Sequence, residues 1–549
     1  MMSTEGAINR TLTWQVSWLT FAKTAGFVFS IALPLLLVRR LDREQYGLYK
    51  QAFLLITTAM IVLPLGVPMS AFYFLPREPA RAPKTVLNVV LFHIAVGTLA
   101  CGALILYPSI LTAIFGGSQL APYSSWIGVT ILLWISGAFL DMVPVANDEV
   151  RLAAGFIIGI QASRALIFVG AVLIFGTLRS LLAAAILHGA IQTIVLFCYL
   201  ESRFAGFWRA FDWRMLRDQL SYAIPLGAAG VLMIVQTDLH NYFVSNRFGP
   251  VRFAVYSIGT LQLPLMGLLQ EAANSVLIGR VSVLQKSNQH REIVSLLARA
   301  ARKLAVVYFP VYVFLMVAGR EFIRVVFTAR FADSWPIFAV NLTLLPLGAV
   351  LLDPLFRAYQ RERYFLLRLR LVLAAGLIAT LCLFTARLGL LGVIAVVVAI
   401  AVFERAVMAV HFARLLGVTA GDVILLRDIG KLAVAALGAG AAAELVRVLL
   451  AGASALGVLA GCGAAFAIVY LPLASMVTSA GVSSRYWPMG RSPMRKPPIA
   501  VRTSFSTLLP IASTILRFAK GHGVFVPQMS AEQHHENAAV PTPGQSRYR

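Results

Sequence analysis

Charge is scarce in this chain. Asp, Glu, Lys and Arg make up 13% of its 549 residues, where a soluble globular chain carries about 25%. Hydrophobic residues fill 59% of it, and the mean hydropathy is +0.80. A water-soluble domain is therefore excluded. Acids are scarcer than bases, with 23 Asp and Glu against 47 Lys and Arg. In a soluble protein that imbalance would suggest a nucleic acid partner. Here the bases cluster in short loops between apolar runs, which is how membrane topology is set, so no nucleic acid is expected. Cysteine is rare. Cys101, Cys198, Cys382 and Cys462 lie far apart in apolar runs, and they read as small buried hydrophobes rather than disulfides or metal ligands. No phosphate-binding loop is present, so the chain has no ATP-hydrolysing engine of its own, and nothing calls for a cofactor. The short alternating segments of a β-barrel are also missing.

What the chain has is long apolar runs. They predict an all-α polytopic membrane protein with about fourteen spans. These lie at roughly 14–38, 49–75, 85–107, 122–146, 152–176, 180–200, 219–246, 251–280, 303–327, 335–358, 364–386, 389–413, 430–450 and 453–478. The first span is too long for the core of a signal peptide, and no cleavage site follows it. With a cytoplasmic N-terminus, about 32 Lys and Arg fall in inside segments and about 12 in outside ones. Both termini are then cytoplasmic. The outside loops are short, and the longest, Pro108 to Ala121, is uncharged. Phe207 to Leu220 mixes aromatics with Arg and reads as an amphipathic helix on the inner leaflet. The end of the chain reads as a basic tail, weakly amphipathic from Thr503 to Lys520 and largely disordered.

Polar groups interrupt the spans. Lys23 lies near the middle of the first, and Ser17, Thr20, Lys23, Thr24 and Ser30 fall within roughly 140° on a helical wheel. Lipid does not tolerate such a face, so it should look into a bundle or a cavity. Gln161 and Arg164 share a face of span five. Asp141, at the end of span four, is the alternative partner for Arg164. Span seven carries Gln236, Thr237, Asp238, His240, Asn241 and Ser245, and span eight carries Gln270, Glu271 and Asn274. Asp238 and Asn241, with Glu271 and Asn274, would suit a proton or sodium site or, equally, hydrogen bonds between helices. Glu404 and Arg405 point about 100° apart on span twelve, so each should pair with another helix. Pro34, Pro64, Pro68, Pro225, Pro264, Pro310, Pro346 and Pro354 predict kinks in spans one, two and seven to ten.

An internal repeat divides the chain. RLDREQYGLY, Arg40 to Tyr49, aligns with RFGPVRFAVY, Arg247 to Tyr256, at an offset of 207 residues and six spans. An even number of spans preserves orientation, so the repeat is parallel. It predicts a six-helix lobe over 1–210, a second over 211–416, an accessory helix pair over 417–479 and the tail over 480–549. The Ala/Gly run from Ala435 to Ala443 suits close packing of that accessory pair, or a groove for a lipid tail.

The first span and its loop also carry a resemblance. A cationic first span followed by Leu41, Glu44, Tyr46 and Gly47 is similar to the polysaccharide and oligosaccharide-lipid flippases of the MOP (multidrug/oligosaccharidyl-lipid/polysaccharide) exporter superfamily. The likeness extends by hydropathy from about Trp14 to about Met476. It implies a transporter, not an enzyme, of the cell (inner or plasma) membrane. Its cargo would be a polyprenyl-diphosphate-linked saccharide for cell-surface polysaccharide, including lipopolysaccharide, synthesis. Lys23 and Arg164, with Gln161, Thr20 and Thr24, would then meet the headgroup. A polysaccharide polymerase or glycosyltransferases would be partners beside the bilayer itself. Two rivals stand. One is an ion-coupled drug or cation exporter of the same superfamily, which the acids on spans seven and eight suit. The other is a polyprenyl-phosphate-dependent membrane glycosyltransferase, in which Asp42 and Glu44 would hold a metal.

Overall fold

The computed structural model describes residues 33–359 and 362–480. Among them, helix is the only regular structure. The principal helices are α1 (33–40), α2 (Arg43–Val62), α3 (Ser70–Arg77), α4 (Ala82–Leu106), α5 (Ser109–Phe115), α6 (Ser124–Gly137), α7 (Val150–Ile174) and α8 (Leu178–Arg203). They continue with α9 (Trp213–Gly259), α10 (Pro264–Lys286), α11 (His290–Phe327), α12 (Trp335–Leu342), α13 (Glu362–Leu415), α14 (Arg427–Leu449) and α15 (Ala455–Ala480). Lys23, Thr20 and Thr24 lie outside the described residues, as does the tail with Thr503 to Lys520.

By length and hydropathy, nine helices among the described residues can cross a membrane, or ten if the pair bent by 44° between Val62 and Val67 is one span. Sequence leads to about fourteen, and the difference has physical causes. Span one is described only from residue 33. α9 has 47 residues and α13 has 54, or about 70 and 80 Å of helix, which is more than one crossing of a ~30 Å core needs. Each is broken by a glycine at positive φ, Gly249 at 74° and Gly389 at 63°, a conformation that costs glycine little. Expected span eight is divided between the end of α9 and α10. Expected span ten is broken into α12, a turn at Leu344–Leu347 and a turn at Asp353–Ala358.

The prolines explain several of these breaks. Pro64 and Pro68 flank the bend between α2 and α3, Pro264 opens α10, and Pro346 and Pro354 lie in the broken span. Pro225 and Pro310 sit inside continuous helices. α2 starts where the Asp42 carboxylate accepts a bond from the Gln45 backbone N–H at 2.7 Å, a normal N-cap. In the repeat, Arg43 corresponds to Pro250, where helix resumes after Gly249. Tyr46 and Phe253, Gly47 and Ala254, and Tyr49 and Tyr256 occupy matching positions, all buried.

One apolar core runs through both halves. Tyr46, Tyr49 and Phe53 of α2 share it with Phe253 and Tyr256 of α9 and with Phe331 and Phe338. A second core joins α14 and α15 to α11, with Ala435, Ala436, Ala439 and Ala443 buried beside Cys462 and Phe466. One side of the Ala/Gly run packs in this core, while Leu437, Gly440 and Ala441 line a groove of about 390 Å³ against α11.

Three local readings change. Cys101 and Cys462 are buried, but Cys198 and Cys382 are exposed. A lipid-facing helix surface is apolar too, so hydropathy does not tell it from the core. Phe207 to Leu220 is not a separate helix. Phe207–Arg209 forms one 3₁₀ turn, and the remainder enters α9 through the N-cap Asp212. The uncharged loop Pro108 to Ala121 is folded, as α5 followed by a 3₁₀ turn over Ser118–Tyr123.

Candidate functional site

The cation of the first half is built on α7. The Arg164 guanidinium lies 4.9 Å from the Trp134 ring centroid and 5.8 Å from that of Phe168. Trp134 cannot swing away, because its indole N–H donates to the Ala185 carbonyl at 2.9 Å. His188 and Phe53 pack edge-on to Trp134, and Phe53 also packs edge-on to Phe168. An arginine held on aromatic faces is stabilised by about 0.5–2 kcal/mol while its N–H groups stay free for another acceptor. Among the described residues Arg164 makes no ion pair, and the alternative partner Asp141 acts on it only electrostatically, from beyond ion-pair distance. Gln161 lies half-buried one turn away on α7.

Sequence reading passed over Lys50. Its ammonium lies 5.7 Å from the Tyr46 ring centroid, one turn back on α2, and it too makes no ion pair with a described residue. The available signal was the i, i+4 spacing of Tyr46 and Lys50 at the start of an apolar run. Trp134 and His188 carried no signal, since they look like any residues of an apolar span.

The second-half candidates bond to different partners among the described residues. The Asp238 carboxylate accepts from Thr237 Oγ1 at 3.4 Å and Asn241 Nδ2 at 3.5 Å, both neutral groups. Glu271 is exposed, and Asn274 Nδ2 donates to Asp353 at 3.4 Å. No hydrogen bond or ion pair joins the Asp238 pair to the Glu271 pair among the described residues. Glu404 pairs with Arg370 at 2.9 Å, and Arg405 donates to the Leu347 carbonyl at 2.8 Å. Each thus bonds to another segment, as the spacing implies. A cavity of about 60 Å³ lies between α9 and α13, lined by Gln236, Leu377, Val397 and Glu404 among others.

α9 is fixed to the first half at both ends. At its N-terminus Asp212 binds Lys84 Nζ at 2.8 Å, and Asn88 Nδ2 donates to the Asp212 carbonyl at 2.8 Å. Further along, Gln219 Nε2 donates to Ser70 Oγ and the Thr85 carbonyl at 3.2 and 3.1 Å. Towards the other end, Gln51 Nε2 donates to Ser245 Oγ at 2.6 Å, and Asn246 Nδ2 donates to the Ala113 and Ile114 carbonyls at 3.0 Å each. There the chain from Arg39 into α2 also meets the end of α11 and the segment after it. Arg39 donates to the Val325 carbonyl at 3.1 Å, Arg43 binds Asp333 at 3.1 Å and the Arg330 carbonyl, and Tyr46 packs edge-on to Phe331. Asp42 is a helix cap and Glu44 is exposed. Neither belongs to a metal-ligating cluster among the described residues.

The described residues form a bundle of broken helices, with Arg164 of α7 seated on aromatic rings and in no ion pair among those residues. Among solved structures, the fold is similar to "Lipid II flippase MurJ, inward closed conformation", with a TM-score of 0.62, 15% identity, and 84% of this chain and 99% of that chain covered. It is also similar to an inward-facing multidrug resistance MATE family transporter of the MOP superfamily, with a TM-score of 0.52, 15% identity, and coverage of 72% and 96%. No curated protein sequence matches the chain. The family described as "Polysaccharide biosynthesis protein" matches residues 36–336, more than half of the chain, and the chain belongs to that family. It is a multi-pass membrane protein, and the two solved structures are titled as a flippase and a transporter.

Proposed function

We propose that this chain flips a polyprenyl-diphosphate-linked saccharide from the inner to the outer leaflet by alternating access, for cell-surface polysaccharide synthesis. The observation that carries the reading is Arg164, a cation held on Trp134 and Phe168 without an ion pair among the described residues. A diphosphate moving through hydrocarbon must exchange water for charge-assisted bonds, and guanidinium geometry suits phosphate oxygens. Lys23, Gln161, Thr20 and Thr24 complete the headgroup site on this reading, and Lys50 adds a second described cation. The polyprenyl tail stays in the bilayer while the lobes, 1–210 and 211–416, rock about the repeat axis. The helix pair over 417–479 braces the second lobe, and the tail over 480–549 lies at the headgroups.

The cell membrane, with both termini cytoplasmic, is the setting this function requires. Each anionic charge moved outward across an inside-negative membrane gains about 2.3 kcal/mol per 100 mV, which assists export. Asp238 and Asn241, with only neutral hydrogen-bond partners at the carboxylate, are candidates for a coupling cation, as are Glu271 and Asn274. A polysaccharide polymerase or glycosyltransferases are the proposed protein partners. The test is translocation of a fluorescent polyprenyl-diphosphate saccharide in proteoliposomes. Arg164→Ala should insert normally and stop flipping, and Arg164→Lys should retain part of the rate. Flipping by Arg164→Ala at the parental rate would remove the observation on which the reading stands.

A further inference from the structure

The connector between the two halves presents an unusual surface. Phe207 is fully buried, and the chain around it is pinned. Trp208 Nε1 donates to Glu201 at 2.6 Å and the ring stacks on Phe197, while Lys84 and Asn88 hold Asp212. On the first turns of α9, Met215, Leu216 and Gln219 are buried. The opposite face, within about 140° on the helix, holds Trp213, Arg214, Arg217, Asp218 and Ser221, all exposed. Trp208, Phe211 and Trp213 expose 53%, 51% and 67% of their surface. Arg209, Arg214 and Arg217 are exposed with no carboxylate paired to any of them among the described residues. Asp218 is the one acid on that face.

Three exposed aromatics and three unpaired arginines, fixed outward on a rigid seat, match one partner by charge and polarity. We infer that this connector is a binding surface for anionic phospholipid headgroups. Trp and Phe settle at the depth of the glycerol backbone, and arginines at that depth meet lipid phosphates. A neutral zwitterionic headgroup offers no net charge to the excess of cations. Arginine suits the role better than lysine for geometry, yet charge alone supplies most of the attraction to a surface. The surface lies where the two halves join, so lipid charge would bear on the seat of α9. The inference does not depend on the saccharide cargo.

The full chain in liposomes tests it. A fluorophore is attached at Ser221→Cys, one turn beyond Arg217 on the exposed face, with Cys198 and Cys382 replaced by Ser. Quenching is titrated with spin-labelled phosphatidylglycerol, which is anionic, or spin-labelled phosphatidylcholine, which is zwitterionic. Three surface cations lead to a preference of roughly tenfold or more for the anionic lipid. The triple variant Arg209→Gln, Arg214→Gln, Arg217→Gln should quench equally with both lipids. The triple Lys variant should keep most of the preference, which separates charge from damage to the fold. Equal quenching by both lipids in the parental chain would overturn the inference, as would a preference that survives the triple Gln change. The first outcome would point instead to a protein partner for this face.

Discussion

Gly47 of α2 lies directly against Pro250, the residue at which helix resumes after Gly249 in the second half. A β-carbon at position 47 would overlap the Pro250 carbonyl group and crowd its α-carbon. The obstacle is backbone, which cannot rotate aside as a side chain can.

Gly47→Ala should therefore part α2 from the Pro250 turn, at a cost of about 1–3 kcal/mol for overpacking. The reporter is a disulfide between Gln51→Cys and Ser245→Cys, whose native side chains are hydrogen-bonded at 2.6 Å. Its yield should fall in the Gly47→Ala background, and transport should fall with it. An unchanged yield would mean that the glycine is a convenience rather than a requirement.

Arg43 and Asp333 form an ion pair whose side chains are 35% and 69% exposed. Exposed pairs contribute less than about 1 kcal/mol. Arg43→Ala and Asp333→Ala should each lower the apparent melting temperature only slightly, with a coupling energy below about 1 kcal/mol in a double-mutant cycle. A coupling near 3 kcal/mol would show that the pair is far better shielded than its exposure implies.

Asp212 responds to acid. The Lys84 ammonium beside it, and then the Met215 and Arg214 N–H groups, hold its carboxyl below the usual carboxylate range. A depressed folded-state value gives stability that is present above the unfolded value of about 3.9 and lost as pH falls through the folded one. The melting-temperature advantage of the parental chain over Asp212→Asn should be constant from about pH 7 to pH 5 and shrink below about pH 4. Asn keeps the helix cap, so the comparison isolates the charge. An advantage that grew with acid would contradict the assigned partner.

Orientation has a direct measurement. Ser118 and Ser287 are both exposed. Cysteines placed there, in a chain without its four native cysteines, should react with an impermeant thiol reagent from outside and from inside respectively. Reaction of position 287 from outside would invert the topology argued from Lys and Arg counts.

Sequence made the class legible, because it depends on local hydropathy. It also placed a boundary between spans 364–386 and 389–413, beside the Gly389 break of α13. Arg164 was visible as a charge in an apolar span. Its aromatic seat was not, because Trp134 comes from another helix 30 residues earlier and looks like ordinary core. Lys50 was hidden by position, at an edge where lysines usually reach water. Asp42 looked like a metal ligand because capping acids and ligand acids share a composition. The bond from Asn274 to Asp353 was invisible because Asp353 lies 79 residues further along the chain.

α9 is a strut pinned to the same half at both ends, by Lys84 and Asn88 at one and by Gln51 and the α5 carbonyls at the other. A passage that alternates must never stand ajar on both sides, or ions run through it. On our reading of the fold as a rocking transporter, each doorway is shut by its own set of bonds on one rod. Freeing one leaves the other bolted, and a through-pore requires both sets to fail together. Leak-tightness would then be a product of two small probabilities rather than the work of any single seal. Paired loss of Lys84 and Gln51 should raise the proton leak of proteoliposomes by more than the two single losses combined. A merely additive leak would show that the doorways are not independent bolts.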